Sequence, residues 1–315
     1  MVSLEGKVCI VTGATRGIGK GIALQLGQAG ATVYITGRTL EPKNDGSVGG
    51  SLKETACEIE SRGGKCIPVK CDHSDQNQIK KLFEQVKSEQ NGRLDVLVNN
   101  AYSAVTAIMS NIGKPFWEQP DDMWDTVNTV GLRGHFLAAI EAAKLMVPAK
   151  QGLIVNVSSA GGLRYLFNVP YGVGKEACDR MAADCAFELR KHNIAFVSIW
   201  PGAVQTETLM DKINDFTFDR QIKNAVVNGE TIEFPGIAIA HLAADQNIMK
   251  KTGRIFLTVD LADEYGFKDI NGQVPPSYRR VKDLLKMVNR TWLAACIPGF
   301  IKVPFWLISC ATHKF

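Results

Sequence analysis

Val8–Val11 is a short apolar run, and Thr12-Gly13-Ala14-Thr15-Arg16-Gly17-Ile18-Gly19 follows it directly. Beyond the glycines, Ile18, Ile22, Leu26 and Ala29 recur at helical spacing until Gly30. An apolar, β-branched run reads as a buried strand, so the order is strand, glycine-rich turn, helix. No other stretch constrains the fold as tightly. A strand buried on both faces and followed at once by an amphipathic helix belongs in a parallel sheet covered by helices. The turn constrains the ligand too. Glycines let the backbone approach a pyrophosphate, and the helix start offers unpaired N–H groups and the positive end of its dipole.

The alternation continues along the chain. Thr32–Thr36, Cys66–Lys70, Leu94–Val98, Leu153–Val157, Phe196–Trp200 and Arg254–Val259 read as further strands. Leu52–Arg62, Ile79–Val86 and Met123–Val147 read as helices. The expected fold is Rossmann-type α/β: a doubly wound, mostly parallel seven-stranded sheet with helices on both faces, over residues 1–275. Ligands of such sheets bind at the carboxyl ends of the strands, where Gly13, Arg38, Asp72 and Asn99 fall. Glu41–Gly50, rich in Gly, Asn, Asp and Pro, reads as a surface loop. The irregular stretch from Thr206 to Lys250 is the expected substrate lid.

The second strand ends in Gly37-Arg38. An acid at this place holds the adenosine ribose of NAD in dinucleotide folds. With glycine there instead, Arg38 and Arg16 offer two guanidinium groups to a 2′-phosphate, so the expected cofactor is NADP(H). Asp72 either caps the next helix or contacts the adenine.

Tyr171 and Lys175 stand four residues apart in a helical pattern, on one face. A neighbouring positive charge favours a phenolate, which brings a phenol within range of proton transfer at neutral pH. A carbonyl receiving a hydride needs such a group to protonate its oxygen. Asn128, inside the long helix, is either a hydrogen-bonded anchor or exposed.

In their order and intervals, Thr12-Gly13-x3-Gly17-x-Gly19, Asp72, Asn99-Asn100-Ala101, Asn128, Ser158-Ser159, Tyr171-x3-Lys175 and Pro201-Gly202-x3-Thr206 resemble the short-chain dehydrogenase/reductase family, over about residues 4 to 272. The resemblance implies a catalytic set of Asn128, Ser159, Tyr171 and Lys175. It also implies a cofactor site of Gly13, Thr15, Arg16, Gly17, Ile18, Gly19, Arg38, Asp72, Asn99, Tyr171, Lys175, Pro201 and Thr206. Tyr171 would be the acid/base, Lys175 would hold the nicotinamide ribose, and Thr206 the carboxamide. The implied substrates are lipophilic ketones and aldehydes, such as steroids and xenobiotic carbonyls, and the implied assembly is a homo-oligomer. Two features depart from the pattern. Tyr102 follows Asn-Asn-Ala where the family carries glycine, and the serine spacing leaves Ser158 open beside Ser159. Position 168, seven before Lys175, is Asn, which disfavours an enoyl reductase.

Of the 315 residues, 45% are hydrophobic and 22% charged, which suits a soluble chain with a large core. Eight cysteines are scattered without Cys-x-x-Cys or zinc spacing, so no metal site is expected. The first strand begins too early to leave room for a signal peptide. The net charge of +4 divides into +6 over residues 276–315 and −2 over the rest. The body therefore suggests no nucleic-acid partner, while the tail could meet an anionic surface. Val281–Trp292 can form a basic amphipathic helix. The nineteen residues from Trp292 to Cys310 carry one charge, Lys302, and two prolines. That pattern suits an interfacial anchor better than a span; the alternative is that the tail packs on the body and roofs the site. Asp-Leu-Ala-Asp-Glu-Tyr-Gly at 260–266 followed by an apolar tail most resembles a family form associated with the endoplasmic reticulum membrane, here expected at its cytosolic face. Asn289-Arg-Thr291 is a glycosylation sequon expected to carry no sugar there.

Overall fold

The computed structural model describes residues 2–42, 49–213 and 220–312. Seven strands form one sheet: β1 (Val8–Thr12), β2 (Thr32–Gly37), β3 (Lys65–Lys70), β4 (Val96–Asn99), β5 (Gly152–Val157), β6 (Ile194–Trp200) and β7 (Ile255–Leu257). Their order is β3-β2-β1-β4-β5-β6-β7, and every pairing is parallel. Val11 registers with Ile35 on one side and Val98 on the other. The chain winds outward from β1 to β3, then returns to β4 on the opposite side. That reversal opens a crevice above the carboxyl ends of β1 and β4.

The helices are α1 (Gly17–Gln28), α2 (Leu52–Ser61), α3 (Gln76–Glu89), α4 (Val105–Ser110), α5 (Met123–Asn128), α6 (His135–Ala149), α7 (Val169–Leu189), α8 (Glu207–Lys212), α9 (Arg220–Val227), α10 (Phe234–Ala244), α11 (Thr258–Tyr265), α12 (Val281–Met287), α13 (Thr291–Cys296) and α14 (Phe305–Thr312). Side chains alternate across the sheet, and the two faces carry separate cores. Val11, Val33 and Val98 pack with Ile22 and Leu26 of α1, Ile59 of α2 and Ile239 of α10. Ile10, Tyr34 and Leu97 pack with Phe83 of α3, Met146 of α6 and Ala182 of α7. The α1/α10 layer is closed by glycines. A Cβ on Gly21 would lie 1.8 Å from the Ile232 carbonyl oxygen, and one on Gly236 2.6 Å from that of Gly21.

The structure corrects the sequence reading at several joints. The helix expected over Met123–Val147 contains a π-helical turn, Thr129–Gly134, between α5 and α6. Such turns gather at functional sites, and this one brings Gly131 and Gly134 against Tyr102 and the His73 carbonyl. The last strand stops at Leu257; the Thr258 hydroxyl bonds to Glu230 and the chain turns helical as α11. The expected helix over Val281–Trp292 divides into α12 and α13 around Asn289, which has a φ of 63°. Only part of the stretch from Thr206 to Lys250 can be a lid, because α10 belongs to the core. Most of the loop expected at Glu41–Gly50 lies outside the described residues.

The tail lies on the body. Arg279 and Lys302 both pair with Asp260, and Arg280 and Lys302 with Asp263, so α11 supplies the acids that the basic tail lacks. Phe305 packs on Trp200 with ring centroids 5.5 Å apart. Lys302, the charge in the middle of the apolar run, is thus held by two carboxylates. Among the described residues no helix is long and apolar enough to cross a membrane. Trp292, Phe300 and Trp306 point away from the body, 67, 81 and 65% exposed.

Candidate active site

A cleft of about 2030 Å³ runs over the carboxyl ends of the strands. Ordinary small-ligand pockets reach about 1000 Å³, so this one has room for a dinucleotide and a substrate together. Gly13, Thr15, Arg16, Gly17, Ile18, Gly19, Arg38, Asp72, Ser158, Ser159, Tyr171, Lys175, Pro201 and Thr206 all line it.

At one end the glycine-rich turn is held by a network. The Thr12 hydroxyl donates to the Val98 carbonyl (3.1 Å) and accepts from the N–H groups of Asn100 and Ala101 (2.9 and 3.0 Å). The Asn100 amide donates to the carbonyls of Thr12 (2.8 Å) and Gly13 (3.1 Å). A side chain at Gly13 would meet the Ala101 backbone at 2.7 Å, and one at Gly19 the Gly13 carbonyl at 2.3 Å. The turn therefore lies close against β4 and lines the cleft. Asn99 does not share in this. It is fully buried, and its amide donates to the His135 carbonyl (3.1 Å) and the Asn156 side chain (3.0 Å). Successive strand residues face opposite ways, so Asn99 braces the sheet and its neighbour Asn100 clamps the turn. The assignment of Asn99 to the cofactor site is corrected accordingly.

Gly37 stands where an NAD site carries an acid, and a larger residue there would require Thr15 to move. A Cβ there would lie 2.7 Å from the Thr15 methyl and 3.4 Å from Leu52. Arg16 and Arg38 stand exposed on the cleft rim. Asp72 accepts from the Ser74 N–H and hydroxyl (2.9 and 2.8 Å). Burial opposes its ionisation, but those bonds and Arg38 outweigh it and hold the carboxyl below its usual range. Asp75, not Asp72, caps α3. At the N-terminus of α1, the Gly17 N–H donates to the Glu207 carboxylate at 2.9 Å.

The other end of the cleft is built on α7. Asn168 caps that helix by accepting from the Tyr171 N–H at 2.9 Å. Tyr171 and Lys175 then share the face turned to the cleft. Gly161 lets the loop after β5 lie flat on the tyrosine, since a Cβ there would be 2.4 Å from ring atom Cε1. Phe167, held at a φ of 63°, abuts the same ring edge-on at 5.1 Å. A bulky residue in that conformation stores on the order of 1–3 kcal/mol of strain, a common mark of functional sites. The Lys175 ammonium donates to the Val157 carbonyl at 3.0 Å.

The two serines divide their work. Ser158 is buried and its hydroxyl donates to the Lys175 carbonyl at 3.0 Å. Ser159 is half-buried and accepts from the Gly161 N–H at 3.1 Å, which leaves its hydroxyl hydrogen for a ligand. Asn128, buried, ends α5 at the π turn behind α7, outside the cleft wall. Its amide faces the Pro170 carbonyl at 3.5 Å, and its oxygen takes the space that a side chain at Gly174 would need.

Two buried acids escaped the sequence reading. Asp179, one turn beyond Lys175, accepts from the Ser198 hydroxyl (2.5 Å) and the Trp200 indole (2.9 Å); burial still pushes it up to about 7. Glu230 accepts from the Gly202 N–H (2.8 Å) and the Thr258 hydroxyl, and burial pushes it up to about 8. Nothing in the residues around either acid signals a core position. The tail, too, enters the cleft wall, through Tyr278, Leu284 and Asn289.

A dinucleotide cradle at the sheet's reversal point, with a phenol and an ammonium on one helix face beside it, defines an oxidoreductase of the Rossmann class. The family model described as short chain dehydrogenase matches residues 7–216, and the chain belongs to that short-chain dehydrogenase/reductase family. It is 50% identical over 318 residues to dehydrogenase/reductase SDR family member 1 of Homo sapiens, and 50% identical over 319 residues to the protein of that name from Mus musculus. Each likeness covers 99% of both chains, so it includes the tail. A solved metagenomic short-chain oxidoreductase in complex with NADP superposes with a TM-score of 0.60 at 28% identity, over 78% of this chain and 93% of that one.

Proposed function

We propose that the protein is an NADPH-dependent reductase of ketone and aldehyde groups on lipophilic substrates. The observation that carries this reading is the cleft itself. Tyr171, Lys175 and the open hydroxyl of Ser159 line one part of it, and a cradle with two arginines and glycine in place of an acid lines another. The cradle fits a dinucleotide. Backbone groups from Gly13 to Gly19 would hold the pyrophosphate, Arg16 and Arg38 the 2′-phosphate, Asp72 the adenine side, Tyr171 and Lys175 the nicotinamide ribose, and Pro201 and Thr206 the carboxamide. The bound cofactor supplies the hydride. The Ser159 hydroxyl donates to the substrate carbonyl and orients it. The Tyr171 hydroxyl protonates the carbonyl oxygen as negative charge grows there, and the Lys175 ammonium stabilises the phenolate left behind. Asn128 positions the first turn of α7 through its contact with the Pro170 carbonyl. Leu166, Phe167, Leu209 and Leu284 give the cleft apolar walls and support a lipophilic substrate, with steroids and xenobiotic carbonyls as the candidate classes.

The outward aromatic face of a tail with net charge +6 supports a peripheral site on the endoplasmic reticulum membrane, at its cytosolic side. Exposed Trp124, Phe136, Val173 and Phe187 on α5 to α7 support a homo-oligomer. The test of function is NADPH oxidation by the purified protein against a panel of lipophilic ketones and aldehydes. Tyr171→Phe should lower turnover at least about a hundredfold while NADPH binding persists. Turnover that survives in Tyr171→Phe would overturn the assignment. NADPH binding without turnover on any carbonyl would favour a cofactor-binding scaffold.

A further inference from the structure

Tyr102 stands where the chain leaves β4 for the cleft, and the structure makes a slot for its ring. A Cβ on Gly131 would lie 2.6 and 2.8 Å from ring atoms Cδ2 and Cε2. Gly131 belongs to the π turn, so the missing side chain and the local change of winding together open the space. The Lys175 ammonium lies over the Tyr102 ring, 4.9 Å from its centroid. The same ring meets that of Tyr171 at 82° with centroids 6.2 Å apart. The Tyr102 hydroxyl, by contrast, is buried without a hydrogen-bond partner among the described residues. The contacts that the structure shows for this residue are made by its ring.

We propose that Tyr102 is a positioning residue for the active pair: its ring face fixes the Lys175 ammonium beside Tyr171. The proposal rests on the reading of Tyr171 as proton donor. The π face of an aromatic ring attracts a cation within about 6 Å, more strongly where water is excluded. Among the described residues, the Val157 carbonyl is the hydrogen-bond acceptor of the ammonium. One acceptor fixes one N–H direction, and the Tyr102 face supplies a second constraint. Tyr171 then has two edge-on aromatic neighbours, Phe167 and Tyr102.

The test uses the whole chain with lysine carbon-13 labelled at Cε. Ring currents from Tyr102 should move one ε-CH₂ proton resonance upfield, identified by its loss in Lys175→Arg. Tyr102→Phe keeps the ring and should keep that shift. Tyr102→Leu should return the resonance to the ordinary lysine position. In the oxidative direction Tyr171 must start as phenolate. A less firmly held ammonium stabilises it less, so Tyr102→Leu should raise the pH of half-maximal rate by roughly half a unit to one unit. It should lower kcat with little change in KM for the alcohol, and Tyr102→Phe should restore the wild-type profile. The absence of an upfield resonance in the wild-type protein overturns the proposal, whether or not the leucine variant folds. So does a folded Tyr102→Leu with an unmoved pH profile. A resonance in place but no turnover in any of these proteins would instead count against the reductase reading.

Discussion

Asp179→Asn is expected to make the protein more stable in mild alkali and to flatten its dependence on pH. Asp179 is 5% exposed, and burial moves its carboxyl from 3.8 to about 7 even though Ser198 and Trp200 donate to it. Between those two values the folded protein holds a proton that the unfolded chain has released. Stability therefore falls as pH rises through that window, and the loss is complete above the folded value. At 1.36 kcal/mol for each unit, the displacement amounts to about 4 kcal/mol. Glu230, moved from 4.5 to about 8, adds a loss of the same sign. Asparagine has the shape of aspartate and no charge. Its oxygen can accept from Trp200 and its amide can donate to the Ser198 hydroxyl, so the site stays bonded. The assay is urea unfolding of wild type and variant at a series of pH values from about 5 to about 8.5, with equal m values confirming a common unfolded state. The difference between the two proteins isolates Asp179. It should grow in favour of the variant by about 3 kcal/mol across the series, because the part of the loss that accrues below pH 5 is already present at its first point. A difference constant with pH would refute the reasoning, because Asp179 would then have the same ionisation in both states.

Two further perturbations follow from contacts in the cleft and the tail. Glu207→Gln removes the carboxylate that the Gly17 N–H holds at the phosphate cradle; NADPH should bind severalfold tighter by calorimetric titration, with the gain shrinking as salt rises, and unchanged affinity would show that Glu207 does not meet the pyrophosphate. The double change Asp260→Asn with Asp263→Asn removes the acids that hold Arg279, Arg280 and Lys302. It should release the tail to limited proteolysis and raise KM for the carbonyl, because Tyr278 and Leu284 leave the cleft wall. A proteolysis pattern like that of wild type would refute the clasp.

Much of the architecture was legible because local patterns and the sheet obey the same period. The strand runs, the glycine-rich turn and the Tyr171/Lys175 spacing each need only their own neighbourhood to be read. Asn99 and Asn100 show the limit of that reading. The motif was visible, but which amide faces the turn depends on the parity of β4, and a difference of one residue reverses the role. Ser158 and Ser159 pose the same problem at the end of β5, where the Lys175 carbonyl claims the first hydroxyl. The tail was ambiguous in sequence because its charges pair with acids on α11. A lysine inside an apolar run argues against a membrane span and leaves an interfacial anchor and packing on the body both open; its pairing with Asp260 and Asp263 is a contact that the sequence does not announce. Asp179 and Glu230 were invisible for a related reason, since an acid in a helix or an irregular segment reads as solvated until its surroundings are known.

The central claim is a reductase that uses NADPH, and cofactor titration tests it most directly. Purified protein titrated with NADPH and with NADH, followed by nicotinamide fluorescence, should bind NADPH at least about tenfold tighter, or ~1.4 kcal/mol. Arg38→Ala should abolish that preference and leave NADH binding as it was. NADH binding as tight as NADPH, or a preference that survives in Arg38→Ala, would contradict the account and turn attention to the oxidation of alcohols.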